Sequence, residues 1–321
     1  MKYRKLGKTS IKVSEIGLGT SQIGNIDGTL PGVKPITKAE AMRILETALD
    51  GGINFFDTSD GYGAAEELVG ELPQEKKKQA FLATKAGLMD SGERCFSQDY
   101  LILQAENSLR KLKVEAIDLF QLNKPTAEDI KNNEVFHTLS LLKEQGKIRF
   151  SGIGIGSLAA GDEVVNDASV DSIMVLFHLL YHGAIPLMIR ACQMGLGIIV
   201  RSPFCSGLLT GKIKNNEQFD ANDERKNYFT KAVIDERLKI VEDIKKNLRI
   251  SDRDLSRLAI EYILSKEDVS TVIPGPSKIK QVDQLLAFSK NLKTLDEVSV
   301  AMIENVVAQF SHKLKSPFQN S

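Results

Sequence analysis

Residues 38–63 read KAEAMRILETALDGGINFFDTSDGYG. Lys38 to Asp50 places apolar side chains at helical spacing, and the glycine pair after it stops a helix. Ile53 to Asp57 is then a short apolar run that closes in polar residues, the pattern of a buried strand with a polar end. Working outward, the same unit recurs: Glu15 to Gly19, Phe81 to Lys85, Ile117 to Leu122, Ile148 to Gly154, Ser172 to Phe177, Gly197 to Val200 and Ser270 to Ile273 read as further strands. Between them fall amphipathic helices over Gln98 to Leu112, Val135 to Gln145, Ile185 to Met194, Asp254 to Ser265 and Lys278 to Ser289. Eight strands joined by helical crossovers close most naturally as a parallel (β/α)₈ barrel.

The flanks fit that frame. Tyr3 to Leu6 and Ile11 to Val13, separated by Gly7, Lys8, Thr9 and Ser10, predict a hairpin that plugs the barrel's bottom, and Leu295 to Phe310 predicts a last helix. Periodicity is lost over Asn25 to Ile36 and Lys214 to Lys231, so both insertions are expected to rim the top face. The chain of 321 residues shows no linker, which predicts one domain over 1–321 with a frayed tail from Lys313 to Ser321. Lys+Arg and Asp+Glu are both 42, so no net field favours nucleic acid or an anionic membrane, and no stretch reaches the roughly 20 apolar residues of a span. Cys95, Cys192 and Cys205 have neither disulfide nor zinc-site spacing, in keeping with a cytoplasmic location. His178 and His182 are four apart, but His178 ends a strand, so no metal site is expected.

Polar groups at the C-terminal ends of barrel strands are the ones that carry chemistry. Here Asp57 and Tyr62 follow the second strand, Lys85 ends the third and Asn123 the fourth. A phenol is a poor acid near neutrality, with a reference pKa of ~10, but an adjacent ammonium stabilises the phenolate. Lys85 supplies one and Asp57 holds Lys85, a relay able to give a proton to a carbonyl oxygen or take one from an alcohol.

With those residues go GINFFDTSDGYGAAEELVGE (52–71), FLATKAG (81–87), IDLFQLNKP (117–125), IRFSGIGIGS (148–157), RSPFCSGLLTGK (201–212) and VIPGPSKIKQVDQL (272–285). In order and spacing these resemble the motifs of the aldo-keto reductase superfamily over nearly the whole chain. The resemblance implies a TIM barrel, NADP(H) bound without a Rossmann domain, and 4-pro-R hydride transfer to an aldehyde or ketone. It assigns Asp57, Tyr62 and Lys85 to catalysis. It assigns Gly19, Thr20, Gly154, Met174, Arg201, Ser202, Pro203, Leu208, Thr210, Lys212, Gly275, Ser277, Lys278 and Gln281 to the cofactor. Arg201 reads equally as a contact to the cofactor or an acidic substrate and as a rim ion pair.

The chain also departs from the family. Asn123 stands at the position of the catalytic histidine, where it still donates a hydrogen bond but cannot titrate. Gly154, Ile155 and Met174 stand where the family grips the nicotinamide carboxamide with Ser, Asn and Gln, and Leu285 replaces an adenosine-end asparagine. Three functions follow. The first is NADP(H)-dependent oxidoreduction of a polar, sugar-like carbonyl or alcohol, in a monomer or small homo-oligomer. The second is a non-redox elimination or isomerisation by the Tyr62/Lys85 pair. The third is a slow-turnover nucleotide-sensing or partner-binding protein.

Overall fold

A computed structural model describes residues 1–310 except 31, 90, 215–218, 220–222 and 228; the expected frayed tail lies outside the described residues. The chain opens with β1 (Tyr3–Lys5) and β2 (Lys12–Ser14), then runs β3 (Leu18–Gly19), α1 (Lys38–Asp50), β4 (Phe55–Asp57), α2 (Ala65–Gly70), α3 (Gln74–Lys77), β5 (Phe81–Ala86) and α4 (Gln98–Leu112). It continues through β6 (Ile117–Asn123), α5 (Ala127–Lys131), α6 (Glu134–Glu144), β7 (Ile148–Gly154), α7 (Leu158–Asp167), β8 (Ser172–Leu176), α8 (Ile185–Gln193) and β9 (Gly197–Arg201). The last elements are α9 (Lys231–Leu248), α10 (Asp252–Leu264), β10 (Val269–Ile273), α11 (Ile279–Asn291) and α12 (Glu297–Ala308). The stretch over α1 behaves as its sequence dictates: Thr37 and Glu40 form a reciprocal capping box, and Ala41, Ile44, Leu45, Ala48 and Leu49 make its buried stripe.

Strands β3 to β10 form one parallel sheet in sequential order. Its two ends meet, because Gly17 donates to Val272 O at 2.8 Å and Gly19 to Pro274 O at 2.8 Å. The sheet is therefore a (β/α)₈ barrel. The first barrel strand is shorter than the expected Glu15 to Gly19, because Ile16 pairs with β10 while only Leu18 and Gly19 pair with β4. That stagger is what barrel shear requires of a closing strand.

Alternation along the strands decides which residues reach the interior. Phe55, Phe81, Ala83, Leu119, Met174, Ile199 and Ile273 face inward and pack with Leu6 and Val13 of the β1–β2 hairpin, which plugs the bottom as expected. Their neighbours Phe56, Leu82, Ala86, Phe120, Leu122, Ile153, Val175 and Val200 face outward into the layer shared with the helices. The hairpin can lie this close because Gly7 is left-handed (φ 54°) and a Cβ there would fall 2.2 Å from the nitrogen of Gly197.

Candidate functional site

Continuing the same alternation past the apolar plug places Asp57, Lys85, Gln121, Asn123, Gly154, Met174 and Arg201 on the inner face at the strands' C-terminal ends. Above them lies a cavity of about 570 Å³. Described residues of both insertions border it, Lys34 from the first and Asp223 and Arg225 from the second.

Asp57 and Lys85 are each about 2–3% exposed, and their side chains pair at 2.7 Å. Lys85 Nζ also donates to Thr58 O at 2.6 Å. An ammonium has three donors, so one remains for the side where the Tyr62 ring centroid lies, 4.9 Å away. Burial works against the Lys85 charge, but Asp57 and then Tyr62 outweigh it and hold its pKa above the ordinary lysine value. Burial pushes the Asp57 carboxyl up, and Lys85 and Gln121 offset that push. Gln121 Nε2 donates to Asp57 Oδ1 at 3.2 Å, so both oxygens of the carboxylate are held. The backbone of Asp57 is fixed as well, since Thr20 donates to its carbonyl through N–H (2.9 Å) and hydroxyl (3.1 Å).

The loop carrying Tyr62 is clamped from outside the barrel. Ala64 donates to Gly24 O at 3.0 Å, and the two loops lie so close that a Cβ on Gly24 would fall 1.8 Å from Tyr62 O. Only glycine fits there. Within the loop, Asp60 Oδ1 accepts from Ser59 Oγ at 2.9 Å and Gly61 N at 2.7 Å. Its buried Oδ2 makes no hydrogen bond within the protein, and burial pushes its carboxyl up to about 6.

The other side of the cavity is built from backbone and from loops. Gly154 and Met174 line it without a polar side-chain atom, and Ile155 spends its backbone on Met174 O (3.0 Å) and Arg201 Nη2 (3.4 Å). Gly19 and Gly275 face one another, so that a Cβ on Gly275 would lie 3.5 Å from Gly19 O. Such bare edges, with the hydroxyls of Ser21, Ser202, Ser206, Thr210 and Ser277 and the cations Lys34, Arg201 and Arg225, suit a flat ring and phosphate groups. Ser202, Cys205, Ser206 and Gly207 all have positive φ in the turn after β9, which turns that backbone along the cavity edge.

The cavity gathers Asp57, Tyr62, Lys85 and Asn123, and with them Gly19, Gly154, Met174, Arg201, Ser202, Pro203, Thr210, Gly275, Ser277 and Gln281. Four expected positions stand elsewhere. Thr20 is buried behind Asp57, and Leu208 is fully buried in the core. Lys212 lines a smaller neighbouring cavity of about 70 Å³ with Thr210, Gly275 and Gln281. Lys278 is the exposed N-cap of α11, and Gln281 Oε1 accepts from the backbone of Ser277 (2.8 Å) and Lys278 (3.0 Å). Gln121, Asp60 and Lys34 enter the site without having been singled out. Only Gln121 carried a signal: it is a polar residue on the inward parity of an apolar strand. His178 is buried in the turn after β8, where its Nδ1 accepts from Leu180 N at 3.2 Å and burial lowers its pKa to about 3. It is a structural residue.

Comparison with known proteins agrees with this geometry. A family model described as aldo/keto reductase family matches residues 15–308. The chain is 29% identical to an uncharacterized oxidoreductase, YqkF of Bacillus subtilis, over 98% of this chain and 99% of that protein. It is 26% identical to an L-galactose dehydrogenase of Arabidopsis thaliana, over 96% of this chain and 94% of that protein. Among solved structures, a glycerol dehydrogenase from Gluconobacter oxydans superposes with a TM-score of 0.81 at 25% identity, covering 98% of both chains.

Proposed function

The chain belongs to the aldo/keto reductase family, and on that premise we propose that it interconverts a carbonyl and an alcohol on a polar, hydroxylated small molecule with NADP(H) as the redox partner. The observation that carries this reading is the Lys85 ammonium, set between Asp57 at 2.7 Å and the Tyr62 ring at 4.9 Å on the floor of the cavity. Tyr62 gives its phenolic proton to the carbonyl oxygen in reduction and takes it back in oxidation. Lys85 stabilises the charge left on the phenol oxygen, while Asp57, braced by Gln121, keeps Lys85 charged and aimed. Asn123 donates a hydrogen bond to the same carbonyl oxygen and polarises it.

Bound, the reduced nicotinamide supplies the hydride. Of the residues that line the cavity, Gly19, Gly275 and the turn from Ser202 to Thr210 would flank an extended nucleotide, Lys34 and Arg225 would answer its phosphates, and Gly154 and Met174 would border the ring. A polar substrate is supported by the relatives, since one is a galactose dehydrogenase and one structural neighbour a glycerol dehydrogenase.

One observation favours a second reading. Gly154 and Met174 give the ring no side-chain hydrogen bond, so the Tyr62/Lys85 pair is also suited to a proton transfer without redox. Titration with NADP⁺, NADPH and NADH, read by nucleotide fluorescence and thermal shift, separates the two. Micromolar binding that prefers the 2′-phosphate is the expected result; no binding at millimolar nucleotide overturns the redox reading and leaves the proton transfer.

A further inference from the structure

We propose that the hairpin between β5 and α4 fixes the spacing of Tyr62 and Asn123, and that Arg94 within it is a positioning residue that aims the Asn123 carboxamide. This rests on the reading of those two side chains as the pair that meets the substrate's carbonyl oxygen. Tyr62 comes from the turn after β4 and Asn123 from the end of β6, and β5 lies between those strands in the sheet. The chain that follows β5 therefore stands between the proton donor and the amide.

The strands alone leave Asn123 half held. β5 pairs with β6 no further than Ala86 with Leu122, whereas β7 continues and pairs Gly154 with Asn123. On the β7 side the peptide unit joining Asn123 to Lys124 is fixed, because Lys124 N donates to Gly154 O at 2.7 Å. The N–H and C=O of a trans peptide unit point in opposite directions, so the Asn123 carbonyl faces the side where β5 has ended. There Arg94 Nη1 donates to it at 2.8 Å. A guanidinium thus stands in for the missing strand partner, and a bond from a charged donor is stronger than the neutral ladder bond it replaces. Asp129 in α5 lies near enough to support that charge. Among the described residues no side-chain hydrogen bond holds the Asn123 carboxamide, so its direction is set through this peptide unit.

The hairpin reaches the other partner as well. Leu88 and Arg94 face one another in an antiparallel bridge, and Met89 N donates to Glu93 O at 2.9 Å. Leu88 lies on Gly61, the residue before Tyr62, where a Cβ would be 3.4 Å from Leu88 Cδ2. Asp60 N donates to Lys85 O at 3.1 Å, which ties the same turn to β5. The base of the hairpin is anchored by Phe96, which is buried in the core. Cys95 N donates to Gly87 O at 3.1 Å, and Gly87 has a positive φ of 122° with the Phe96 ring 2.3 Å from where a Cβ would stand. One strut therefore touches the Tyr62 turn through Leu88 and the Asn123 backbone through Arg94.

The test has one readout without turnover and one with it. Hydrogen exchange of the Lys124 amide, followed by NMR, reports whether the peptide unit after Asn123 is held. Arg94→Met keeps the stem and loses the donor, and it is expected to speed that exchange about tenfold. Arg94→Lys keeps a donor and is expected to restore most of the protection, while Asn123→Ala leaves it as in the parent. In reduction of glyceraldehyde by NADPH, Arg94→Met is expected to lower kcat about tenfold, with KM and nucleotide affinity near those of the parent. In an Asn123→Ala background the same substitution is expected to cost nothing further, because Arg94 acts through that side chain. Exchange that Arg94→Met leaves unchanged, or an Arg94→Met loss that persists in full without the Asn123 carboxamide, overturns the proposal. Faster exchange in an Arg94→Met protein whose parent binds no nucleotide supports the strut while overturning the redox reading.

Discussion

The half of the cavity built on β4 to β6 and the half built on β7 to β10 are made of different materials. In the first, side chains hold side chains: Gln121 grips Asp57, Asp57 grips Lys85, and Lys85 lies over Tyr62, all on short, closely paired strands. In the second, the walls are bare backbone at Gly154 and Gly275, a run of left-handed residues after β9, and side chains supplied by long insertions. Proton transfer depends on geometry fixed to a fraction of an ångström, whereas an extended ligand can gather its contacts along a longer wall. The contrast predicts that a change in the first half costs chemistry, and that a change in the second half tunes binding.

The sharpest way to break the contrast is at Lys85. Lys85→Met leaves the Asp57 carboxylate buried without its counter-ion, so a loss of about 3–5 kcal/mol in urea denaturation is expected together with loss of turnover. Tyr62→Phe removes only the proton donor. It is expected to lower kcat/KM by about 10²–10⁴-fold with nucleotide affinity and Tm near those of the parent. Because the two residues act as one unit, the double variant is expected to lose little more activity than either single one. Full additivity in that cycle, or a fall in nucleotide affinity with Tyr62→Phe, would mean that the two halves are not separate.

Asp60 probes the same half through pH. Its carboxyl is pushed up to about 6 from an ordinary value of 3.8, chiefly by burial, against the Ser59 hydroxyl and the Gly61 N–H. A folded pKa above the unfolded one means that the folded protein binds the proton more tightly. Asp60 therefore favours the fold below about pH 4 and penalises it increasingly as pH rises through about 6. Asp60→Asn abolishes that titration. The stability difference between variant and parent is expected to shift by about 1–3 kcal/mol in the variant's favour between pH 4 and pH 8. Parallel stability curves would show that Asp60 is satisfied in the fold and does not strain the Tyr62 loop.

The same division governs what the sequence reveals. Asp57, Lys85 and Asn123 are legible because period-two alternation fixes which strand residues face inward, and the end of an apolar run marks the rim. Gln121 obeys that rule too, yet its partner is set by strand pairing, which periodicity does not specify. The convergence of Lys34 with Asp223 and Arg225 joins loops nearly two hundred residues apart that have no periodicity at all. Correspondence to a family does not give side-chain direction either: Leu208 is buried in the core, and Lys278 is the exposed residue at the N-cap position of α11. Before Leu208 the chain turns left-handed at Ser206 and Gly207, a local twist that alignment does not specify.

The smallest effect lies in the second half and sharpens the contrast most directly. Met174 lines the cavity on the inward face of β8, 2% exposed, at the position from which the family grips the carboxamide. Met174→Gln nearly keeps the volume and adds a side-chain amide with two N–H donors and a carbonyl acceptor, so it carries a desolvation cost in the ligand-free protein and recovers it when the ring binds. Tm of the ligand-free variant is expected to fall slightly, while NADP⁺ affinity rises about twofold to tenfold, the worth of one neutral hydrogen bond. Gly154→Ser can be added without strain, since its backbone is not left-handed and a Cβ there meets only Leu122 O at 3.4 Å. A gain in NADP⁺ affinity with an unchanged pH profile of turnover would show that the ring lies against β7 and β8 and that binding there is separable from proton transfer. If neither variant moves nucleotide affinity, the wall at Gly154 and Met174 does not face a nicotinamide, and the first half of the cavity works without one.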